Sequence, residues 1–344
     1  MAHEDDSDFI EPASDEASLN LEEFVITSDY DPTVAESVLG SACPPYSHNC
    51  ALLGGGPNLG ARRYHMYRYG RYPIPNDDTE AGREGLRHAL FKELLDGRLH
   101  LAPIDEYPQK ILDIGTGFGD WAMEMGDKFP SATVVGVDLS PIQPVWIPPN
   151  VSFVVDDVED AWIHGDNYDY IHMRVTACVL KDPIRVILNA FRNLRPGGWI
   201  EIQEVYPKVG CIDDTMPADY APKVFYEKLH DVFREKYGFD SFICERLPGE
   251  LARLGFVNVQ KKVCHIPIGL WAKEKKRMHQ AFLLQEVLGE FLPVMEAKPF
   301  REEDQGETDR EAIHQLFGQV RQALQSKKIH AYLPFHFIYA QKPL

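Results

Sequence analysis

The sequence has 344 residues, of which 44% are hydrophobic and 26% charged, and its formal net charge is −18 at pH 7. Such a chain suits one large domain with insertions, or two small domains. Its acidity and the lack of a basic stripe argue against a nucleic-acid partner, and no apolar run reaches the roughly 20 residues of a membrane span.

The first 45 residues are predicted to form an acidic, disordered tail. Twelve of the 53 acidic residues precede Arg62 and no Lys or Arg does, so 41 acids face all 35 bases in the remainder. A segment with this charge and few large apolar groups cannot bury enough surface to order itself. It also lacks the features of a secretory signal, and the six scattered cysteines predict neither a zinc site nor a disulfide framework. We therefore expect a cytoplasmic protein.

A segment rich in tyrosine and arginine follows the tail. Residues 62–72 read RRYHMYRYGRY and hold four tyrosines and four arginines. Such side chains combine an apolar body with a polar tip and suit the rim of a ligand site. We predict that this segment closes over a bound molecule. After it, Asp77 and Asp78 resemble the N-caps of a helix whose leucines share one face.

From residue 110 onward the pattern alternates between strand and helix. Short apolar strands are predicted at 110–114, 133–138, 151–155, 168–173 and 197–205, with helices at 119–129 and 182–194. This alternation indicates an α/β fold with a mostly parallel sheet and helices on both faces. Two more strands are predicted at 256–263 and 333–342, with two long helices inserted between them.

The turn after the first strand carries three glycines at alternate positions, Gly115, Gly117 and Gly119. No Lys-Ser or Lys-Thr follows them, which excludes a Walker loop. Their GxGxG spacing is one residue shorter than the dinucleotide fingerprint, and Asp113 precedes them. A carboxylate there would repel a pyrophosphate but suits an amine. S-adenosylmethionine has an α-ammonium group and a sulfonium cation and no phosphate, so it is the cofactor that this loop favours.

Two further acids end the next two strands of the predicted sheet. Asp138 lies 19 residues after Gly119, where a strand-end carboxylate can accept hydrogen bonds from both ribose hydroxyls. Asp157 ends the third strand and can accept from an adenine amino group, while the backbone N–H of Val158 donates to the ring. Three acids at the ends of three successive strands, beside a glycine loop, predict an adenosine cofactor site.

One long stretch resembles the class I S-adenosylmethionine-dependent methyltransferases, and more narrowly their fungal LaeA-type branch: ILDIGTGFGDWAMEMGDKFPSATVVGVDLSPIQPVWIPPNVSFVVDDVEDAW. The similarity continues through RRYHMYRYGRYPIPND, LRPGGWIEIQE and IHAYLPFHFIYAQKP, and covers residues from about 62 to 343. It departs from the family pattern at Phe118, where a small hydroxyl residue is usual, and at Asp120, where an apolar residue is usual.

The resemblance implies a Rossmann-like, seven-stranded, mostly parallel sheet with an antiparallel last strand. It also implies a methyltransferase domain at 46–344, with helical cap insertions near 212–245 and 272–328. The implied cofactor-binding set comprises the loop, the strand-end acids, their neighbours and two residues of the covering segment: Asp113, Gly115, Gly117, Gly119, Asp138, Leu139, Asp157, Val158, Met173, Tyr64 and Arg63.

The chemistry would be an in-line displacement at a methyl carbon, for which the protein mainly orients the acceptor and excludes water. The sequence does not name a general base, although His172 and Glu204 at the ends of strands four and five are candidates. The histidines share no ligand spacing, so no metal is predicted. The fourth strand also lacks the [ND]PP[YF] pattern of enzymes that methylate amines of bases or glutamine.

We therefore expect a methyltransferase that acts on a small, fairly apolar molecule such as a fungal secondary metabolite, with no nucleic-acid or membrane partner. The apolar stripes of the inserted helices would wall its pocket. Two alternatives stay open. One is a LaeA-like regulator that acts through protein partners, with the acidic tail as its interaction arm and a nuclear location. The other is a cofactor-binding enzyme that catalyses a non-transfer, pericyclic step. A nicotinamide-dependent oxidoreductase is disfavoured by GxGxG and Asp113.

Overall fold

The computed structural model describes residues 10–13, 62–163, 165–301 and 307–344. The tail predicted at 1–45 therefore lies outside the described residues, except for 10–13. None of the helices in these ranges is long and apolar enough to cross a membrane.

The fold is built on one sheet. Its strands are β1 (Lys110–Ile114), β2 (Thr133–Asp138), β3 (Val151–Val155), β4 (Tyr168–Arg174), β5 (Leu194–Val205), β6 (Gly210–Cys211), β7 (Val257–Pro267) and β8 (Ala331–Gln341). They follow the order β3–β2–β1–β4–β5–β8, and β6 and β7 also pair with β8. Neighbours among β1 to β5 are parallel, whereas β8 is antiparallel to β5, β6 and β7. The predicted sheet with its antiparallel last strand is confirmed, and the eighth strand is the two-residue β6.

Helices cover both faces of the sheet. They are α1 (Asp78–Leu94), α2 (Asp120–Lys128), α3 (Pro183–Asn193), α4 (Ala221–Val232), α5 (Ile243–Arg253), α6 (Lys275–Ala297) and α7 (Glu307–Gln325). A short 3-10 turn (Ala177–Val179) follows β4, and a π-helical turn (Phe233–Tyr237) follows α4. Of the two predicted caps of α1, Asp77 is the N-cap, and its side chain accepts from the backbone N–H of Glu80.

Apolar contacts divide the interior into layers. One cluster joins β8 and β7 to α1, α4, α6 and α7, and a second packs α3 and α5 on the sheet. A third lies between α2 and the strands β1 to β4, around the buried Trp121. The two regions in which insertions were predicted thus contain α4, the π-helical turn, α6 and α7. They cover the sheet edge at which the parallel strands end, where ligands bind in open α/β sheets.

Candidate functional site

The three glycines of the loop after β1 have different surroundings. A Cβ atom at Gly115 would lie 2.5 Å from the hydroxyl of Thr176, and one at Gly119 would lie 2.5 Å from the ring of Phe153. A Cβ atom at Gly117 would meet nothing within 4 Å, and its φ of +57° favours glycine. Gly119 begins α2 and packs closely on β3, and it does not line the cleft described below. Its close packing on Phe153 explains the glycine, and its role in cofactor binding stays a prediction.

A cleft opens at the carboxyl ends of β1, β2 and β3. It encloses about 930 Å³, part of which is open to solvent. Six of the predicted cofactor-binding residues line it: Gly115, Gly117, Asp138, Leu139, Asp157 and Val158. Phe118, the departure from the family pattern, also lies on its wall. The structure thus brings together residues from three strand ends that are up to 43 positions apart in sequence.

Asp138 is the best-positioned acid in this cleft. Its two oxygens accept from the backbone N–H groups of Gly117 and Ser140, each at 2.9 Å. Burial raises the pKa of its carboxyl to about 6, in spite of these two hydrogen bonds. Each carboxylate oxygen has a second lone pair, so Asp138 can still accept from the two hydroxyls of a ribose.

Asp113 lies in a smaller, more polar cavity beside the cleft. Its carboxylate is 2.8 Å from Nδ1 of His172 and accepts from the hydroxyl of Thr116 at 2.6 Å. The His172 ring in turn stacks on Trp121, with ring centroids 3.7 Å apart. The cavity, about 420 Å³, is also lined by Glu84, Arg87, His88, Asp120 and Arg174. Both charge signs therefore face this space, as the ammonium and carboxylate of an amino acid require.

Arg174 joins the two spaces, because it lines both the cleft and the polar cavity. Its Nε donates to the side-chain oxygen of Gln203 at 2.9 Å, and its Nη1 lies 2.9 Å from Nδ1 of His88. Its Nη2 is buried and has no hydrogen-bond partner among the described residues. Burial lowers its pKa to about 10, so the guanidinium stays charged at neutral pH. This unpaired donor fits the carboxylate of the methionine part of the cofactor.

Met173 does not line either space. It is fully buried and packs in the apolar cluster beneath α3 and α5. Side chains alternate between the faces of a strand, so His172 and Arg174 face the cofactor side while Met173 faces the opposite side. The role of Met173 in cofactor binding stays a prediction, and Arg174 is the residue of β4 that the predicted set left out.

The segment 62–77 lines one side of the cleft, and the roles of Arg63 and Tyr64 in cofactor binding stay predictions. Within the described ranges the lining includes Arg71, Tyr72, Ile74, Pro75 and Asn76, and not Arg63 or Tyr64. Arg63 donates to the carbonyl of Asn76, and Tyr64 is buried with the ammonium of Lys298 4.2 Å from its ring centroid. These two residues support the segment from behind and do not face the ligand space.

Ion pairs hold this closing segment to the loop after β3. Arg71 pairs with both Asp157 and Glu159, whose carboxylates are almost fully buried. Arg68 pairs with Asp160 at the surface, and its Nε also lies 3.8 Å from the buried carboxylate of Asp157. Asp157 thus anchors the segment, a role that its position at a strand end did not indicate. Asp156, one residue earlier, lines the same cleft and was not in the predicted set.

Of the two candidate bases, Glu204 is placed in a structural position. It is fully buried, lines neither the cleft nor the polar cavity, and accepts from the backbone N–H groups of Thr176 and Ala177 at 3.1 and 2.8 Å. It therefore stabilises the start of the 3-10 turn, and burial raises its pKa to about 7. His172 lines only the polar cavity, and burial lowers its pKa.

A second, apolar cavity adjoins the cleft and encloses about 870 Å³, again partly open to solvent. Five residues line both spaces and form their junction: Tyr72, Ile74, Arg87, Val175 and Val179. The inserted helices supply much of the remaining wall, with Tyr226 and Leu229 from α4 and Leu284, Val287, Leu288 and Phe291 from α6. We refer to it as the acceptor cavity. Helical spacing predicted these apolar stripes, whereas the cavity between them depends on how the helices pack.

Comparisons with known proteins show that this chain belongs to a methyltransferase family. The methyltransferase-domain family model matches residues 86–261. The chain is 40% identical over 284 residues to methyltransferase pytC of Aspergillus terreus, covering 82% of this chain and 86% of that protein. It is 32% identical to secondary metabolism regulator LAE1 of Cochliobolus heterostrophus, covering 82% and 93%. Among solved structures it is similar to a phosphoethanolamine N-methyltransferase of Haemonchus contortus, with 17% identity, coverage of 74% and 52%, and a TM-score of 0.43.

Proposed function

Because this chain belongs to the methyltransferase-domain family, with S-adenosylmethionine as its cofactor, we propose that it transfers a methyl group to a small, mostly apolar molecule. One observation carries the proposal: the acceptor cavity is apolar and shares five wall residues with the cofactor cleft. A molecule held there has its reactive atom next to the cofactor and the rest of its surface against aliphatic and aromatic side chains.

Different residues of the chain would hold different parts of the cofactor. Asp138 would accept from the ribose hydroxyls, Arg174 would bind the carboxylate, and the open space at Gly117 would let the ligand approach the backbone. The sulfonium supplies the methyl group together with a good leaving group. What remains for the protein is to orient the acceptor and keep water out of the junction.

The junction favours an acceptor that is already nucleophilic. Burial raises the pKa of Tyr72, so its phenol stays protonated and is a hydrogen-bond donor and not a base. Arg87 at the same junction is paired with Glu84, and Glu204 lies outside the cavity lining. We propose that the bond from the acceptor to the methyl carbon would form as the sulfur–methyl bond breaks, with S-adenosylhomocysteine as the leaving group, and that the proton of the acceptor would pass to solvent water.

The test uses an extract of a strain of the source organism that lacks this gene, since the unmethylated acceptor should accumulate in such a strain. We expect purified protein and S-adenosylmethionine with a deuterated methyl group to yield a product that gains one labelled methyl. Leu288→Trp, which fills the acceptor cavity, should abolish this product and still bind S-adenosylhomocysteine. Glu290→Trp, on an exposed position of the same helix, is the matched control and should keep activity. Tight binding of S-adenosylhomocysteine with no labelled product would overturn the proposal.

A regulatory function is the second candidate, because one relative is named a secondary metabolism regulator. The same experiment separates the two. A regulator that acts through protein partners has no use for an apolar cavity at the cofactor, so Leu288→Trp should leave its effect on gene expression intact. A pericyclic enzyme would change the extract without adding mass.

A further inference from the structure

Ser241 has a buried hydroxyl in the wall of the acceptor cavity. The residue lies between the π-helical turn and α5, and its side chain is 7% exposed. Its Oγ is buried and has no hydrogen-bond partner among the described residues. Ser241 lines the acceptor cavity and is absent from the lining of the cofactor cleft. Ser241 therefore lies in the part of the wall of the acceptor cavity that the cofactor cleft does not share.

The local backbone does not use this hydroxyl. Serine at the start of a helix commonly accepts from a backbone N–H. Here the neighbouring Asp240 performs that task, since its Oδ1 accepts from the N–H of Phe242 at 3.1 Å and its Oδ2 accepts from Arg246 at 2.8 Å. A buried hydroxyl without a partner destabilises the folded state. If packing were the only requirement at this position, alanine would meet it without leaving a hydroxyl unpaired.

The two arginines that line the acceptor cavity are both paired with carboxylates. Arg83 pairs with Glu80 and Glu84 and lies over the ring of Phe291, and Arg87 also pairs with Glu84. The charges of these two arginines, which line the cavity, are therefore balanced by carboxylates of the same helix. A charged acceptor would find no free counterion in this network, whereas an uncharged acceptor needs none.

We propose that Ser241 is a specificity-determining residue that binds an uncharged hydroxyl or carbonyl of the acceptor, remote from the atom that is methylated. The acceptor class is thus an apolar body with two polar groups: one nucleophile at the junction beside Tyr72, and one neutral hydrogen-bonding group at Ser241. This inference rests on the proposed function, and it adds the chemistry of the distal end of the substrate.

The test measures binding and needs no turnover. Two probes are compared, a naphthalenediol and the matched methylnaphthol in which one hydroxyl is replaced by methyl. The dissociation constant of each is measured by calorimetric titration into protein saturated with S-adenosylhomocysteine. The quantity of interest is the ratio of the two dissociation constants, because differences in hydration of the probes cancel when variants are compared.

We expect Ser241→Ala to reduce the preference for the diol about fivefold, the worth of one neutral hydrogen bond, and Ser241→Thr to retain it. Tyr220→Phe is the control, since Tyr220 also has a buried hydroxyl without a partner but does not line the acceptor cavity. It should leave the preference unchanged. An unaltered preference in Ser241→Ala would overturn the inference.

Stability gives a second, independent readout. Without ligand, Ser241→Ala removes an unpaired buried hydroxyl, so it should unfold at the same temperature as the wild type or a higher one. A lower unfolding temperature would mean that the hydroxyl has an internal partner, and it would contradict the inference. Ser241→Ala could lower the preference for the diol as expected while the extract yields no labelled product. In that case Ser241 binds a polar group of a ligand, but the proposed methyl transfer is wrong.

Discussion

At the scale of single residues, the acids that end successive strands look equivalent in sequence but have different tasks. Asp138 accepts from two backbone N–H groups and still faces the cleft. Asp157 is committed to Arg71 and anchors the closing segment. Asp113 orients His172 in a separate polar cavity. Position at a strand end identifies the edge of the sheet at which ligands bind, whereas the partner of each carboxylate determines its role.

The raised pKa of Asp138 predicts that cofactor binding depends on pH. Only the ionised carboxylate has enough lone pairs for two N–H donors and two ribose hydroxyls. Its pKa is about 6, so the affinity for S-adenosylhomocysteine should fall about tenfold between pH 7.5 and pH 5. Calorimetric titration at several pH values measures this. Asp138→Asn should bind weakly with a flat profile, and a wild-type profile that is equally flat would exclude Asp138 from the site.

The same shift has a consequence for stability, with the opposite sign. Because the folded pKa is raised above that of an exposed aspartate, the contribution of Asp138 favours the ligand-free folded state at low pH. It is lost as the pH rises through about 6. Relative to Asp138→Asn, the ligand-free wild type should therefore lose free energy of unfolding between pH 5 and pH 7.5.

Glu204 provides a prediction that separates structure from catalysis. Its pKa is raised to about 7 by burial, so ionisation should destabilise the folded state as the pH rises through 7. Glu204→Gln keeps an acceptor for the N–H groups of Thr176 and Ala177, and we expect turnover within about threefold of wild type and no loss of stability at pH 8. Glu204→Ala should lower the free energy of unfolding by about 1 to 3 kcal/mol, as urea denaturation would measure. A loss of turnover in a stable Glu204→Gln protein would restore Glu204 as the base.

The residues that the sequence analysis missed are of two kinds. Arg174 could have been found from the sequence, because strand alternation places it, and not Met173, on the same face of β4 as His172. The partner of Arg71 was not available, because an ion pair across 86 positions depends on tertiary packing. Ser241 was equally hidden, since only the packed helices show that its hydroxyl is buried without a partner while Asp240 accepts from the N–H of Phe242.

At the scale of elements, the parallel core was predictable and the closing segment was predictable only in part. Short apolar runs, glycine turns and amphipathic stretches fix β1 to β5 and their helices, because each of these elements buries one face locally. The composition of residues 62–72 indicated a ligand rim. Which of its tyrosines and arginines turn inward depends on contacts with the loop after β3 and with α6.

The ion pairs of the closing segment predict unequal effects for its two arginines. Arg71→Ala would remove the cation that pairs with both buried carboxylates, Asp157 and Glu159, and should weaken binding of S-adenosylhomocysteine about tenfold or more. Arg68→Ala removes a surface pair with Asp160 and a longer contact of 3.8 Å with Asp157, so it should change the dissociation constant by less than about threefold. Calorimetry on the two variants measures both. Equal effects would mean that the segment does not close the cleft through Arg71.

At the scale of the whole molecule, the N-terminal region is more than a passive tail. Ile10 is 2% exposed and packs with Trp271, Ala272 and Met278. Backbone hydrogen bonds join Ala13 to Trp271 at 2.7 Å and Lys273 to Glu11 at 2.8 Å. Residues 10–13 therefore form a short extended contact at the start of α6, the helix that walls the acceptor cavity. Composition predicted disorder through residue 45. It did not indicate this contact, because one buried isoleucine hardly changes the mean hydropathy of an acidic segment.

This contact predicts that two truncations only a few residues apart differ in stability. Deletion of residues 1–9 leaves the contact intact and should not change the free energy of unfolding. Deletion of residues 1–13 exposes the surface around Trp271, and Ile10→Asp places a charge there; each should lower that free energy by about 1.5 to 3 kcal/mol, the worth of one buried isoleucine. Urea denaturation measures the difference.

Because of where this contact lies, its loss should affect acceptor turnover and not the affinity for the cofactor. It lies at the start of α6, on the acceptor side and away from the strand ends that bind the cofactor. The dissociation constant of S-adenosylhomocysteine should therefore stay within about twofold in Ile10→Asp, since the cofactor cleft is unchanged. Acceptor turnover should fall, because α6 loses a support of its first turn and the cavity wall becomes less rigid. If Ile10→Asp instead matches the 1–9 deletion in both stability and turnover, the contact contributes nothing and the acceptor cavity is held by α6 and its helical neighbours alone.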